Sequence, residues 1–181
     1  AARPSGRTPV AQVRELERLR QTQIRLVDRR VALGQFGSCA ALAGAVARQL
    51  RVRGARVVSL DHPDEDHQAQ MANGFDAELY LGIDIETHSY SRCQYFATEG
   101  FKSEGGLRLA GRCAAALSTC LPDTCEVLGM RIPILRATKM PAVLCSLGPP
   151  ATVVQATDEV ASALAGAITA WADDPASLTG S

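Results

Sequence analysis

The chain is predicted to fold as an α/β protein, a three-layer sandwich with a mostly parallel, twisted sheet flanked by helices. Three observations lead to that class. Short strand-like apolar runs alternate with longer helical patterns through most of the 181 residues, the pattern of helices packed on both faces of a parallel sheet. The run Ala77-Glu-Leu-Tyr-Leu-Gly-Ile-Asp84 is largely apolar at consecutive positions, as a central strand covered on both faces requires. The length, with 46% of residues apolar, suffices for one substantial core and not for two.

Taken in order, residues 9–23 read as an amphipathic helix, because Val10, Val13, Leu16 and Leu19 recur at three-residue steps with charges between them. Residues 24–33 alternate loosely as a first strand. Residues 34–38 are a turn into an alanine-rich helix over 39–50, which Gly54 stops. Val57, Val58 and Leu60 make a short strand, ended by the polar run 61–67. A short helix over 67–73 delivers the chain to the strand 77–84. Residues 93–98 form another strand, followed by a loop with glycine and a helix over 103–120. Residues 132–135 and 142–147 are two further short strands, separated by Lys139-Met-Pro. The last helix, 157–172, begins at Thr157 with Asp158 and Glu159 in its first turn, where carboxylates favour the positive end of the helix dipole. The implied organisation is a basic helix or linker over 1–23, an α/β domain over 24–172 and a disordered tail over 173–181.

Net charge is zero, which gives no reason to expect a nucleic-acid partner. The distribution is uneven: residues 1–56 carry twelve arginines against Glu15, Glu17 and Asp28, and the rest of the chain is correspondingly acidic. Either the two parts attract each other, the basic part meets an acidic partner, or the arginines form a solvated face. No run of eighteen apolar residues occurs, so no transmembrane helix is expected. The start, Ala-Ala-Arg-Pro-Ser-Gly-Arg, has no initiating methionine and no apolar signal core, and reads as an internal cut from a longer protein. The six cysteines lack the paired spacing of a structural zinc site. Cys39, Cys113 and Cys145 sit in apolar stretches as small buried hydrophobes. Cys120 and Cys125 flank the turn-like Leu-Pro-Asp-Thr, within disulfide reach if the compartment is oxidising and as free thiols if it is not.

Four stretches, in order, resemble one family. They are Leu50-Arg-Val-Arg-Gly-Ala-Arg-Val-Val-Ser-Leu60; Ala72-Asn73 with Asp76-Ala-Glu-Leu-Tyr-Leu-Gly-Ile-Asp-Ile-Glu86; residues 103–110; and Ile134-Leu-Arg-Ala-Thr-Lys-Met-Pro-Ala-Val-Leu-Cys-Ser-Leu-Gly148. The second is similar to a strand motif Ser-Ile-His-x-Asn and the fourth to Leu-Arg-x-Thr-x-x-Pro-Ala-Val-Leu-x-Glu-x-Gly. Both belong to the zinc-dependent N-acetylmuramoyl-L-alanine amidases of the amidase 3 type, and the matches span roughly residues 24–172.

The resemblance implies an amidase-3-like fold and a catalytic set of two histidines and a glutamate on zinc, with a further glutamate as general base. This chain departs from that set. The loop after the first strand, Asp-Pro-Gly-His-Gly-Gly in the family, corresponds to Val27-Asp-Arg-Arg-Val-Ala-Leu-Gly, with Asp28 but no histidine. The metal-binding glutamate falls near Gln35, or on Ser38 in a shifted register. The second histidine falls on Asp84, the asparagine after it on Glu86, and the catalytic glutamate on Ser146. A degenerate, non-catalytic member is therefore expected, with no catalytic residue, no cofactor, and a groove lined by Asp28, Gln35, Asp84, Glu86, Arg136 and Ser146. Its expected partner is a peptidoglycan fragment or precursor, or a protein of cell-wall synthesis or division. Its expected place is the cell envelope, on either side of the membrane.

Two other classes compete. An active amidase with divergent ligands would hold zinc, for which His62, His67, His88 and Asp84 are the remaining weak candidates; His62 and His67 lie in a polar loop that reads as solvated. An assembly component would dock on a partner through the helix in residues 1–23. Asp84 and Glu86 share a strand face and so form a carboxylate pair, but no sugar-cleft aromatics accompany them as glycoside hydrolysis would want. Ser146 has no neighbouring histidine motif or nucleophile-elbow glycines. Trp171 reads as a packing residue.

Overall fold

The computed structural model describes residues 10–21 and 25–174. Predicted features at 1–9, 22–24 and 175–181, including the start of the first strand and nearly all of the tail, lie outside the described residues. Helix α1 (Val10–Gln21) precedes strand β1 (Arg30–Phe36), helix α2 (Ala40–Val52), strand β2 (Arg56–Asp61), helix α3 (Glu65–Gly74) and strand β3 (Leu79–Ile85). Strands β4 (Ser91–Thr98) and β5 (Phe101–Lys102), helix α4 (Glu104–Leu117), strand β6 (Cys125–Met130) and helix α5 (Pro133–Ala137) follow. Strand β7 (Ala142–Leu147) and helices α6 (Pro150–Gln155) and α7 (Thr157–Asp173) complete the fold. No helix among the described residues is long and apolar enough to cross a membrane.

The sheet runs β2-β1-β3-β7-β4-β5, with β6 paired to β4. Strands β2, β1, β3 and β7 are parallel, and β4 turns antiparallel against β7. The predicted class is the observed one, a central mostly parallel sheet between helices. Strand β7 is buried at every position and β3 over its first five, which is why their sequences show no period-two alternation. On one face α2, α4 and α7 cover Val31, Leu33, Leu81, Ile83, Val143 and Cys145; on the other, α3 and α5 cover Ala32, Tyr80, Ala142 and Leu144.

Three local expectations are corrected. The first strand lies at Arg30–Phe36 rather than 24–33: Arg25 and Asp28 have positive φ (104° and 64°), and Arg29 N donates back to Leu26 O in a turn that ends just before the strand. The strand placed at 132–135 is helix α5, because Pro133 at its first turn favours a helix start and Ile134 and Leu135 are both buried against the α3 layer. The strand on that side of the sheet is β6, an edge whose middle is exposed and whose apolar signal is weak. Helix α6 was not anticipated. In α1 only Leu19 of the expected apolar stripe is buried, while Val10 and Val13 face solvent.

The cysteines are all free. Cys93 on β4 lies 3.4 Å from Cys145 on β7 and 3.6 Å from Cys125 on β6, sulfur to sulfur, beneath α4. Hydrogen bonding to these two thiols, and then burial, holds the Cys93 thiol well above its ordinary pKa. Cys120 instead donates to the carbonyl of Leu117, and no Cys120–Cys125 bond is present. Only Cys120 is even partly exposed, so a disulfide reagent is expected to titrate one thiol of the native protein and all six after denaturation. Rapid reaction of two or more native thiols would contradict this packing.

Candidate functional site

In a sheet of this kind the ligand crevice forms at the carboxyl ends of the parallel strands, where the strand order reverses. Here β1 leads outward to β2 while its other neighbour, β3, leads to the opposite half, so the reversal lies between the ends of β1 and β3. The register puts Phe36 opposite Asp84, Asp84 opposite Ser146, and Ser146 opposite Arg92. Because partners across a pleated sheet share a face, these four side chains make one row across β1, β3, β7 and β4, on the α3 side.

The floor beneath the row is closed by a tyrosine. Tyr80 lies across Gly34 and Gly82: a Cβ on Gly34 would stand 2.0 Å from the Tyr80 hydroxyl oxygen, and one on Gly82 would stand 3.1 Å from it. The hydroxyl donates to Gln68 Oε1 at 2.9 Å, and Gln68 Nε2 donates to the carbonyls of Gln35 (2.9 Å) and His62 (2.7 Å). This buried network ties β1, the β2–α3 loop and α3 together, and burial pushes the Tyr80 phenol far up from its usual range.

Within the row, Gln94 Nε2 donates to the Ser146 hydroxyl at 2.9 Å, with both side chains almost wholly buried. Burial, and then the neighbouring Glu86 carboxylate, raises the pKa of Asp84 above the ordinary carboxylate value. Glu86 itself meets His88 Nε2 at 3.0 Å and Arg92 at 3.4 Å. The His88 ring stacks on exposed Tyr90, with centroids 5.1 Å apart, and the Arg92 guanidinium lies 5.9 Å from the Tyr90 ring centre. The Nε of Arg92 is buried without a hydrogen-bond partner.

Of the residues picked out from the sequence, Asp84, Glu86 and Ser146 come together at this edge. Asp28 does not: it precedes β1 at the opposite edge of the sheet, exposed and 3.7 Å from Arg56. Gln35 does not open a helix; it is the penultimate residue of β1, paired with Asp61 and Ile83. The strand runs on to Phe36, and only Gly37 and Ser38 separate it from Cys39, the N-cap of α2, with Gly37 taking the positive φ (63°) of the turn. Arg136 sits on α5, 3.9 Å from Asp66 of α3. His62 and His67 lie against each other, ring centroids 4.0 Å apart, in the β2–α3 region, whereas His88 belongs to the β3–β4 loop. Phe36, Arg92 and Gln94 were missed. The alternation of Arg92 and Gln94 between Ser91, Cys93 and Tyr95 was the available signal, since it places both on one face of β4.

Searches with the sequence find no matching family model and no matching curated protein. Solved structures do match. The N-acetylmuramoyl-L-alanine amidase from Clostridium difficile 630 is similar with TM-score 0.63 and 14% identity, over 81% of this chain and 98% of that one. The N-acetylmuramoyl-L-alanine amidase AmiC2 of Nostoc punctiforme gives TM-score 0.65 and 16% identity over 79% and 96%. The CwlD amidase from Clostridioides difficile, solved in complex with the GerS lipoprotein, gives 0.57 and 11% over 80% and 98%. At these identities the likeness is one of fold.

A catalytic zinc takes three nitrogen, sulfur or carboxylate ligands and leaves one position for water. The donors at this edge do not fit that ion. The row offers one carboxylate, Asp84; the Ser146 hydroxyl is held by Gln94; and the Cys39 thiol, almost fully buried, turns inward to the carbonyls of Phe36 and Ile83, each at 3.2 Å. Among the described residues no group of three histidine, cysteine or acidic side chains is placed so that it could hold a metal ion.

Proposed function

We propose that this chain is a non-catalytic domain of the peptidoglycan-amidase fold. It acts in bacterial cell-wall metabolism by binding a peptidoglycan fragment or precursor, or a protein of wall synthesis or division, at the carboxyl edge of its sheet. The observation that carries the reading is the row Phe36, Asp84, Ser146 and Arg92. Hydrolysis of the amide between sugar and stem peptide asks for a metal-activated water and a carboxylate base. A serine hydroxyl already hydrogen-bonded to Gln94 has no basicity for that task near neutral pH. The three-residue link from β1 to α2, Gly37-Ser38-Cys39, leaves little chain on which a ligand-bearing loop could be carried.

The groups at this edge suit recognition. Arg92, whose side chain stays partly exposed, can take a carboxylate of a stem peptide; Asp84 can take an ammonium group; and the exposed Tyr90 ring offers a face for a sugar. The test is to incubate the protein with soluble muropeptides and one equivalent of zinc, and to measure retained metal, released stem peptide and binding by calorimetry. No release, substoichiometric metal and saturable binding are expected. Asp84→Asn and Arg92→Gln should each weaken that binding about tenfold, the usual scale for a hydrogen-bonded charge. Stoichiometric zinc together with turnover would end this reading in favour of an active amidase.

A further inference from the structure

The inward face of α1 is unusual for a helix held by packing alone. Ala11, Arg14, Glu15, Arg18 and Leu19 recur at helical spacing and form the stripe that lines a cavity of about 530 Å3. Within it only Leu19 is buried, whereas Val10 and Val13 on the other side are 68% and 51% exposed. A helix docked only to stabilise a fold buries its valines and leaves its arginines in water. Helix α1 instead leaves its valines exposed and turns Arg14 and Arg18, themselves still exposed, to the cavity.

Across the cavity stands an apolar floor at the amino edge of β7 and the end of β4: Phe96, Phe101, Leu135, Met140 and Pro141. The two phenylalanine rings are 6.0 Å apart. The carboxylates lining the space are already engaged. Glu15 accepts from Ser103 Oγ (2.6 Å) and from the backbone N–H groups of Glu104 (3.0 Å) and Gly105 (3.3 Å), satisfying the amino end of α4. Glu78 accepts from the Arg30 backbone N–H (2.9 Å) and pairs with Arg29 at 3.5 Å. Three of the cations are not balanced in this way. Arg14 and Lys139 form no ion pair among the described residues, and Arg136 reaches only the exposed Asp66 at 3.9 Å.

We infer that this cavity binds a small amphiphilic anion, an acyl or aryl body ending in a phosphate, sulfonate or carboxylate. The body lies on Phe96, Phe101, Leu135 and Met140, and the head meets Arg14, Arg136 and Lys139. The volume is that of an ordinary small-molecule site, in which apolar walls hold the ligand and a few polar groups orient it. The cavity lies at the opposite edge of the sheet from the Asp84 row, so this inference stands apart from the proposed function.

The probe is 1-anilinonaphthalene-8-sulfonate, an aryl sulfonate that fluoresces when it leaves water, titrated into the intact chain. Decyl phosphate and decanoate compete as the two anionic arms and decyltrimethylammonium as the cationic control, all below micelle-forming concentrations. Saturable fluorescence is expected, displaced by either anion, weakened by salt and untouched by the cation. The double variant Arg14→Gln with Lys139→Gln, both exposed and so tolerable to the fold, should lose about tenfold or more in affinity with an unchanged thermal melt. Displacement by the cation as readily as by the anions would overturn the inference and leave a merely greasy crevice. So would an unchanged affinity in the double variant, or the absence of saturable binding. An acidic peptide that outcompetes decyl phosphate would replace the small molecule with a protein segment.

Discussion

Replacing Trp171 by alanine is expected to destabilise the protein by about 3–5 kcal/mol, the cost of truncating a large buried aromatic that the surroundings cannot refill. Trp171 is 1% exposed on α7, and its indole N–H donates to the carbonyl of Gly105 in the first turn of α4 at 3.1 Å. Removing the ring takes away apolar burial where α4 and α7 meet, together with the indole's hydrogen bond to Gly105. Trp171→Phe should cost less, about 1–3 kcal/mol, because much of the volume survives and the hydrogen bond does not. Urea unfolding followed by far-ultraviolet circular dichroism measures both, since either variant lacks the chain's one tryptophan. A loss under about 1 kcal/mol for the alanine variant would mean that α7 does not pack on α4 through this residue.

Gly34→Ala should rank next, at about 3 kcal/mol, the upper end of overpacking costs. The new methyl would stand 2.0 Å from the Tyr80 hydroxyl oxygen and 2.3 Å from Gln68 Oε1, so two hydrogen-bonded groups must both move. Tyr80→Phe alone should cost about 1–3 kcal/mol, because the Gln68 oxygen loses its donor inside the protein. The two changes should couple. With the hydroxyl gone, the closest obstacle to the methyl is absent, and the double variant should be more stable than the sum of the single losses predicts, by about 0.5–1.5 kcal/mol. Strict additivity in the cycle would show that the tyrosine does not lie over Gly34.

The parts of the fold legible in the sequence are those whose physics is strongest. Strands β3 and β7 announced themselves because burial on both faces demands consecutive apolar residues, and α2, α4 and α7 because their buried stripes are long. The errors fell where the signal is weak or shared. An exposed edge strand such as β6 needs little apolar character, and a short helix such as α5 shows the same pair of large aliphatics as a short strand. The early placement of β1 came from reading Leu26 and Val27 as strand residues, when Leu26 is buried in a turn and Val27 is exposed.

The candidate site divides along the same line. Asp84, Glu86 and Ser146, taken from the resemblance, share one edge because β3 and β7 pair in parallel, whereas Asp28 lies before β1 at the opposite edge and Gln35 within β1 itself. Arg92 and Gln94 escaped notice because no motif marks β4. Their membership in the site depends on an antiparallel pairing between strands some fifty residues apart, which a linear reading does not supply.

The brevity of the β1–α2 junction has a consequence for anyone wishing to engineer a metal site at this edge of the sheet. Point substitutions at Asp84 and Ser146 would decorate two walls of the crevice, while the third, at Gly37 and Ser38, has no spare backbone to hold a chelating side chain over it. A designer would have to splice in new residues ahead of Cys39, whose thiol is already clasped by two carbonyls, and rebuild the first turn of α2 around them. The barrier to such a conversion is one of chain length as much as of residue identity.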